Sequence, residues 1–204
     1  MPEPQIQIPP GLFWPVPMRA TPLPIEGVAD YLIAGYMVVT GVKPGSRALL
    51  RNTLAIIALE NANGAAIQNH NWGNMQANPL TWKGPAWMHP SPSPDAPLFF
   101  RQYPSHDAGV AAWWEMMIRQ FPTVLRFAAL DRPVEMVREM YRRGYVVGGD
   151  AKGYELHVGQ LSEQYRREGT FRPLGLLRSD YVGIGALAAG VVGVVVAGVL
   201  NAGS

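Results

Sequence analysis

Apolar residues cluster in this chain in two different ways. Over residues 54–59, LAIIAL, they fall on nearly every side of a helix instead of along one stripe, as expected of a helix buried on all faces. Ser46 stands at the N-cap position, and Asn61, Asn63 and Gly64 are stop signals at the far end. The helix is therefore expected to end on Glu60. Ahead of it, the pattern predicts a helix over about 26–40, closed by Gly41 and the turn Lys43, Pro44, Gly45. After it, residues 61–74 are too polar and too rich in Gly for a core element and read as the floor of a cleft. Residues 78–104 carry Pro at 79, 85, 90, 92, 94, 97 and 104 among five aromatics. That composition suits an irregular lobe with short strands near 81–88 and 98–103. Ser105, with Asp107 in the first turn, opens a helix through Trp113, Trp114, Met116 and Met117 that stops at Pro122. Asp131 is expected to cap a further helix with Pro133 in its first turn, ending at Gly144. A last helix covers about 153–168.

The second cluster is residues 182–200, VGIGALAAGVVGVVVAGVL, an uncharged run of 19 residues. At about 1.5 Å per residue it just spans a hydrocarbon core of about 30 Å. Small residues recur every fourth position at Gly185, Ala189, Gly193 and Ala197, a stripe suited to close helix association in a membrane. Its alternatives are a buried hairpin or a helix at the core of an oligomer. At the other end, residues 1–25 carry eight prolines. These exclude a helix or central strand and favour an extended arm draped on the domain or on a partner. The expected organisation is an arm over 1–25, one mainly α (α+β) domain over 26–170, and a linker with the apolar helix over 171–204.

Composition narrows the chemistry. With 17 basic and 15 acidic residues among 204, the excess of positive charge is small. The densest basic group, Arg138, Arg142, Arg143, Arg166 and Arg167, reads as a solvated helix face, so nucleic acid is not an expected partner. Absence of cysteine excludes disulfides and thiolate catalysis. No His shows ligand spacing with carboxylates, so no metal or other cofactor is expected. The N-terminal residues lack the charged and apolar regions of a secretory signal.

The remaining candidate is Glu60. A carboxylate where an all-apolar helix surfaces has a partner or a purpose, and a carboxylic acid is the proton donor that glycosidic bond cleavage requires. The polar segment beyond it, with His70, Asn71, Trp72 and Asn74, offers amide hydrogen bonds and an aromatic face for a sugar ring. Ser105, His106 and Asp107 are neighbours at a helix start, point in different directions, and form no triad.

These residues resemble a family. ALENANG followed by NHNWGNM, then FRQYPS before a helix, then RRGYVVGGDAKGYELHV, look like the motif order of peptidoglycan glucosaminidases of the lysozyme superfamily, glycoside hydrolase family 73, over residues 27–167. The resemblance implies a lysozyme-like helical domain with a small β lobe, Glu60 as catalytic acid, and Tyr145 supporting the reacting centre. It further implies Asn71, Trp72, Asn74, Tyr103 and Tyr154 as substrate-binding side chains; His70, by its own chemistry, reads as a substrate-contacting or structural side chain. The chain departs from that pattern at Asn61 and Asn63, where the family has Ser and an aromatic, and in lacking an obvious second carboxylate. Asp95 is the only acidic residue between Glu60 and Tyr103. It would activate water or stabilise the positive sugar ring; failing that, the substrate acetamido group would attack, or a lytic transglycosylase would form an anhydro product with Glu60 alone. The expected partners are glycan strands of peptidoglycan and, through the apolar tail, a membrane, other virion proteins or further copies of the chain. Without an export signal, delivery from outside in a bacteriophage particle is the expected route to the wall. A structural virion protein that keeps the domain only for sugar binding is the competing expectation.

Overall fold

The computed structural model describes residues 14–78, 82–89, 98–146 and 149–171. They form a mainly helical body with one small sheet. In chain order the elements are β1 (Trp14–Pro15), α1 (Ile25–Thr40), α2 (Arg47–Glu60), a 3-10 turn (Ala62–Gly64), β2 (Pro85–His89), β3 (Leu98–Arg101), α3 (His106–Gln120), α4 (Pro122–Ala129), α5 (Pro133–Arg142) and α6 (Ala151–Glu168). The strands lie in the order β1-β2-β3, with β1 parallel and β3 antiparallel to β2.

Helix α2 is the axis of the body. The Ser46 hydroxyl accepts the Leu49 N–H at 3.1 Å and so starts it. Every residue from Leu49 through Ala58 is buried, and α1, α4 and α6 all pack on it. Its polar residues are buried too, which the apolar run alone does not suggest. Arg51 reaches the Asp131 carboxylate at 2.5 Å, and Asn52 donates to the Ala128 carbonyl at 2.8 Å. Ser162 of α6 hydrogen-bonds to the Asn52 side-chain oxygen, and Arg166 meets the second Asp131 oxygen at 2.6 Å. One acid thus ties α2, the α4–α5 turn and α6 together.

Helix α3 crosses α1 closely because Gly35 has no side chain. A Cβ there would stand 2.7 Å from Val110 Cγ1, and the Trp114 indole donates to the Leu32 carbonyl at 2.8 Å across the same crossing.

Two expectations need correction. Asp131 does not cap α5: its backbone is left-handed, with φ of 59°, and its carboxylate is committed to the two arginines. The N-cap residue is Arg132, without a side-chain cap. Pro122 does not merely stop α3 but opens a helix of its own, α4, as the first helical residue, where its missing N–H has no cost. The lobe loop with Asp95 and the apolar segment 182–200 lie outside the described residues. Among the described residues, no helix is long and apolar enough to cross a membrane.

Candidate active site

Helix α2 ends on Glu60, and the chain then turns sharply through left-handed residues. Ala62, Asn63, Gly64, Asn69, His70 and Asn74 all have positive φ, a region that Gly and Asn tolerate better than other residues. Much of the Asn and Gly content of this segment therefore serves backbone geometry. Gly64 is required twice over, since a Cβ there would fall 2.4 Å from the Leu23 carbonyl oxygen.

Asparagine side chains then lock the turn. Asn61 donates to the Ile57 and Trp72 carbonyls at 3.1 and 2.7 Å, joining the helix end to the loop. Asn69 accepts from the Arg19 N–H at 2.6 Å and donates to the Pro17 carbonyl and the Gln102 side chain, clamping the arm against the lobe. Asn71, fully buried, accepts the Met75 N–H at 2.8 Å and donates to the Met75 and Arg101 carbonyls.

The WGN triplet distributes three tasks. Trp72 is fully buried, and its indole N–H donates to His106 Nδ1 at 3.2 Å. Gly73 leaves room for Trp113: a Cβ would lie 2.3 Å from Trp113 Cδ1 and 3.2 Å from the Tyr145 hydroxyl. Asn74 turns outward, its amide 3.5 Å from one Glu60 oxygen.

The other Glu60 oxygen accepts a 2.6 Å hydrogen bond from the Tyr154 hydroxyl. Burial raises the Tyr154 pKa above the ordinary phenol value, and the Glu60 charge and this hydrogen bond raise it further. Tyr154 therefore keeps its proton and is the donor. Tyr145 is raised in the same way, by burial first and then by Glu60. Its oxygen accepts the Trp113 indole N–H at 3.0 Å, which leaves its own O–H proton free to point elsewhere. Tyr141 leans edge-on against Tyr154 with ring centroids 5.9 Å apart. Among the described residues no Lys or Arg forms an ion pair with Glu60. The carboxyl is held by two neutral groups, from the loop and from α6.

The structure brings together Glu60, Asn74, Tyr145 and Tyr154 from widely separated parts of the sequence. It places others differently from the sugar-facing positions expected of them. Trp72 has no exposed face for stacking, Asn71 spends its amide on the backbone, and Tyr103 is buried with its hydroxyl 3.6 Å from Met75 Sδ. These three residues hold the turn in shape. His70, expected as a substrate-contacting or structural side chain, is half-buried and stands edge-on to His106 at 4.4 Å, with its backbone N–H on the Thr21 hydroxyl. Trp113, read from the sequence as core, is core and also the donor to Tyr145. No sequence spacing announces that pairing. No group of three or more His, Cys, Asp or Glu stands together among the described residues.

Comparison of the chain with family profiles, curated proteins and solved structures finds no match.

Proposed function

We propose that this chain is a peptidoglycan-cleaving glycosidase of lysozyme-like type in which Glu60 protonates the glycosidic oxygen. One observation carries the reading: among the described residues, the Glu60 carboxyl at the end of the central buried helix is held by a phenol and an amide and by no cation. A cation would fix Glu60 as a carboxylate. A phenol hydroxyl both donates and accepts, and an amide offers an N–H or a carbonyl, so this pair can hold either protonation state. That is what a group that gives up a proton and takes one back requires.

In this scheme Tyr154 and Asn74 fix the carboxyl in line with the scissile bond. Tyr145, its oxygen anchored by Trp113, directs its remaining proton toward the reacting centre. As the bond breaks, positive charge grows on the sugar ring. Asp95 is the sequence candidate for activating water against that ring. Without it the substrate acetamido group attacks the anomeric carbon, or a sugar hydroxyl closes an anhydro ring as in a lytic transglycosylase. Mass spectrometry of products from purified peptidoglycan separates these outcomes. Reducing glucosamine or muramic ends assign the hydrolysed bond, anhydro-muramyl ends assign a transglycosylase, and intact glycan refutes cleavage. Carriage in a bacteriophage particle, with the apolar tail engaging a membrane or other virion proteins during genome entry, fits a wall enzyme that acts from outside.

A second reading is a virion protein that binds glycan without cleaving it. It draws on the fact that both Glu60 oxygens already have protein partners. It predicts retention on peptidoglycan with no new ends.

A further inference from the structure

The lobe bonded to the loop after Glu60 carries a cation that the scheme above does not use. Arg101, the last residue of β3, lies with its guanidinium carbon 4.9 Å from the centre of the Trp82 ring. Its Nε donates to the Gln76 carbonyl at 3.0 Å, and the Tyr103 hydroxyl lies beside it. The Trp82 platform is itself fixed. The indole N–H donates to the Pro85 carbonyl at 3.0 Å, the ring meets Tyr103 edge-on at 5.9 Å, and a Cβ on Gly84 would come within 2.8 Å of it. Seven ion pairs join charged side chains among the described residues, and none includes Arg101.

The position of this guanidinium is set by the same turn that contacts Glu60. Arg101 donates its backbone N–H to the Met75 carbonyl at 3.0 Å and accepts from the Asn71 amide on its own carbonyl at 3.0 Å. Asn74, whose amide meets Glu60, lies between those two anchors in sequence. A guanidinium held over an aromatic ring, with no carboxylate partner among the described residues, is preorganised to take one as a two-pronged ligand.

We infer that Arg101, seated on Trp82 and anchored to the loop that contacts Glu60, is an anion subsite that takes a carboxylate carried by the glycan strand. The inference rests on the proposed activity for the identity of the strand. On peptidoglycan such a carboxylate comes either from the lactyl group of a muramic residue without its peptide or from the stem peptide. A chitin oligomer has neither.

The test uses the full chain with Glu60→Gln, so that bound glycan stays intact, and compares it with the same chain also carrying Arg101→Gln or Arg101→Lys. Binding is measured by calorimetry to three soluble probes: a peptide-bearing muramyl glycan fragment, the same fragment stripped of peptide by an amidase, and a chitin tetramer. Loss of one charge-assisted contact predicts about tenfold weaker binding of the anionic probe for Arg101→Gln. Arg101→Lys falls between, since it keeps the charge without the fork, and the neutral oligomer is unaffected. Dependence on Arg101 for the stripped fragment assigns the lactyl group, and dependence for the peptide-bearing fragment alone assigns the peptide. Equal affinity of Glu60→Gln and its Arg101→Gln derivative for both anionic probes, with matching thermal melts, overturns the subsite. Failure of the wild-type chain to cleave peptidoglycan while the Arg101 dependence persists would count against the glycosidase reading alone.

Discussion

Replacing Gly73 by Ala tests how the candidate site is built, whatever it does. The added methyl would lie 2.3 Å from Trp113 Cδ1 and 2.7 Å from its Nε1. Ordinary contact between such atoms needs more than a further ångström. Trp113 cannot withdraw freely, because it is fully buried and lies edge-on to Trp114 with ring centroids 4.9 Å apart. Either the indole moves, breaking its 3.0 Å bond to Tyr145, or the loop moves and Asn74 leaves Glu60. Overpacking of this kind costs about 1–3 kcal/mol, and a lost hydrogen bond adds about 1 kcal/mol. The expected destabilisation is thus about 2–4 kcal/mol, or a fall in Tm of roughly 4–16 °C at about 2–4 °C per kcal/mol for a protein of this size. Urea unfolding of the purified protein reads it directly. A double-mutant cycle with Trp113→Leu, which removes the clashing ring, should show that the two changes partly compensate. A Gly73→Ala protein as stable as the parent, with no coupling to Trp113→Leu, would refute the packing argument.

Other consequences are open to the same scrutiny. Tyr154→Phe removes the 2.6 Å donor to Glu60 and should lower turnover by about tenfold or more while the protein stays folded, a hydrogen bond to a charged group contributing about 1.5–3 kcal/mol; unchanged turnover in a soluble-glycan assay would show that the phenol only fills space. Burial, with the neighbouring His70 charge opposing protonation, lowers the His106 pKa to about 4. The unfolded chain takes up this proton near the ordinary value of about 6.5, so unfolding binds more protons in the interval between. Stability should therefore be unaffected by this group above about pH 7 and decline as pH falls from about 6.5 toward 4; an NMR titration placing His106 above 6 would contradict it. Asp131→Ala leaves Arg51 nine-tenths buried without its acid. Breaking a buried pair costs about 3–5 kcal/mol, reduced here to about 2–3 kcal/mol because the Asp131 side chain is 35% exposed; denaturant melts that match the parent would exclude the clamp.

The long elements were legible because each carries its own signals. The Ser46 and Ser105 caps, the Gly41 termination and the apolar run 54–59 of α2 are local, and these helices begin and end within a residue or two of the positions they indicate. Signals with two meanings misled. Pro122 is equally a stop and a first helical residue, and Asp131 is equally a cap and an ion-pair partner; tertiary contacts chose the second in each case. The loop after Glu60 misled more instructively. Asn, Trp and Gly together suggest a sugar-binding surface, yet Asn71 and Trp72 are spent inside, and left-handed backbone accounts for Asn63, Asn69 and Asn74. The bond from Tyr154 to Glu60 spans 94 residues. Nothing local encodes it, and only the motif order pointed to that tyrosine.

The central claim is that Glu60 delivers a proton to a glycosidic bond. Wild-type protein and Glu60→Gln, matched for folding by circular dichroism and thermal melt, should be incubated with purified peptidoglycan and the soluble products followed by mass spectrometry. The account predicts disaccharide-bearing fragments from the wild type and none above background from Glu60→Gln. Release of the same fragments at the same rate by both proteins would contradict it.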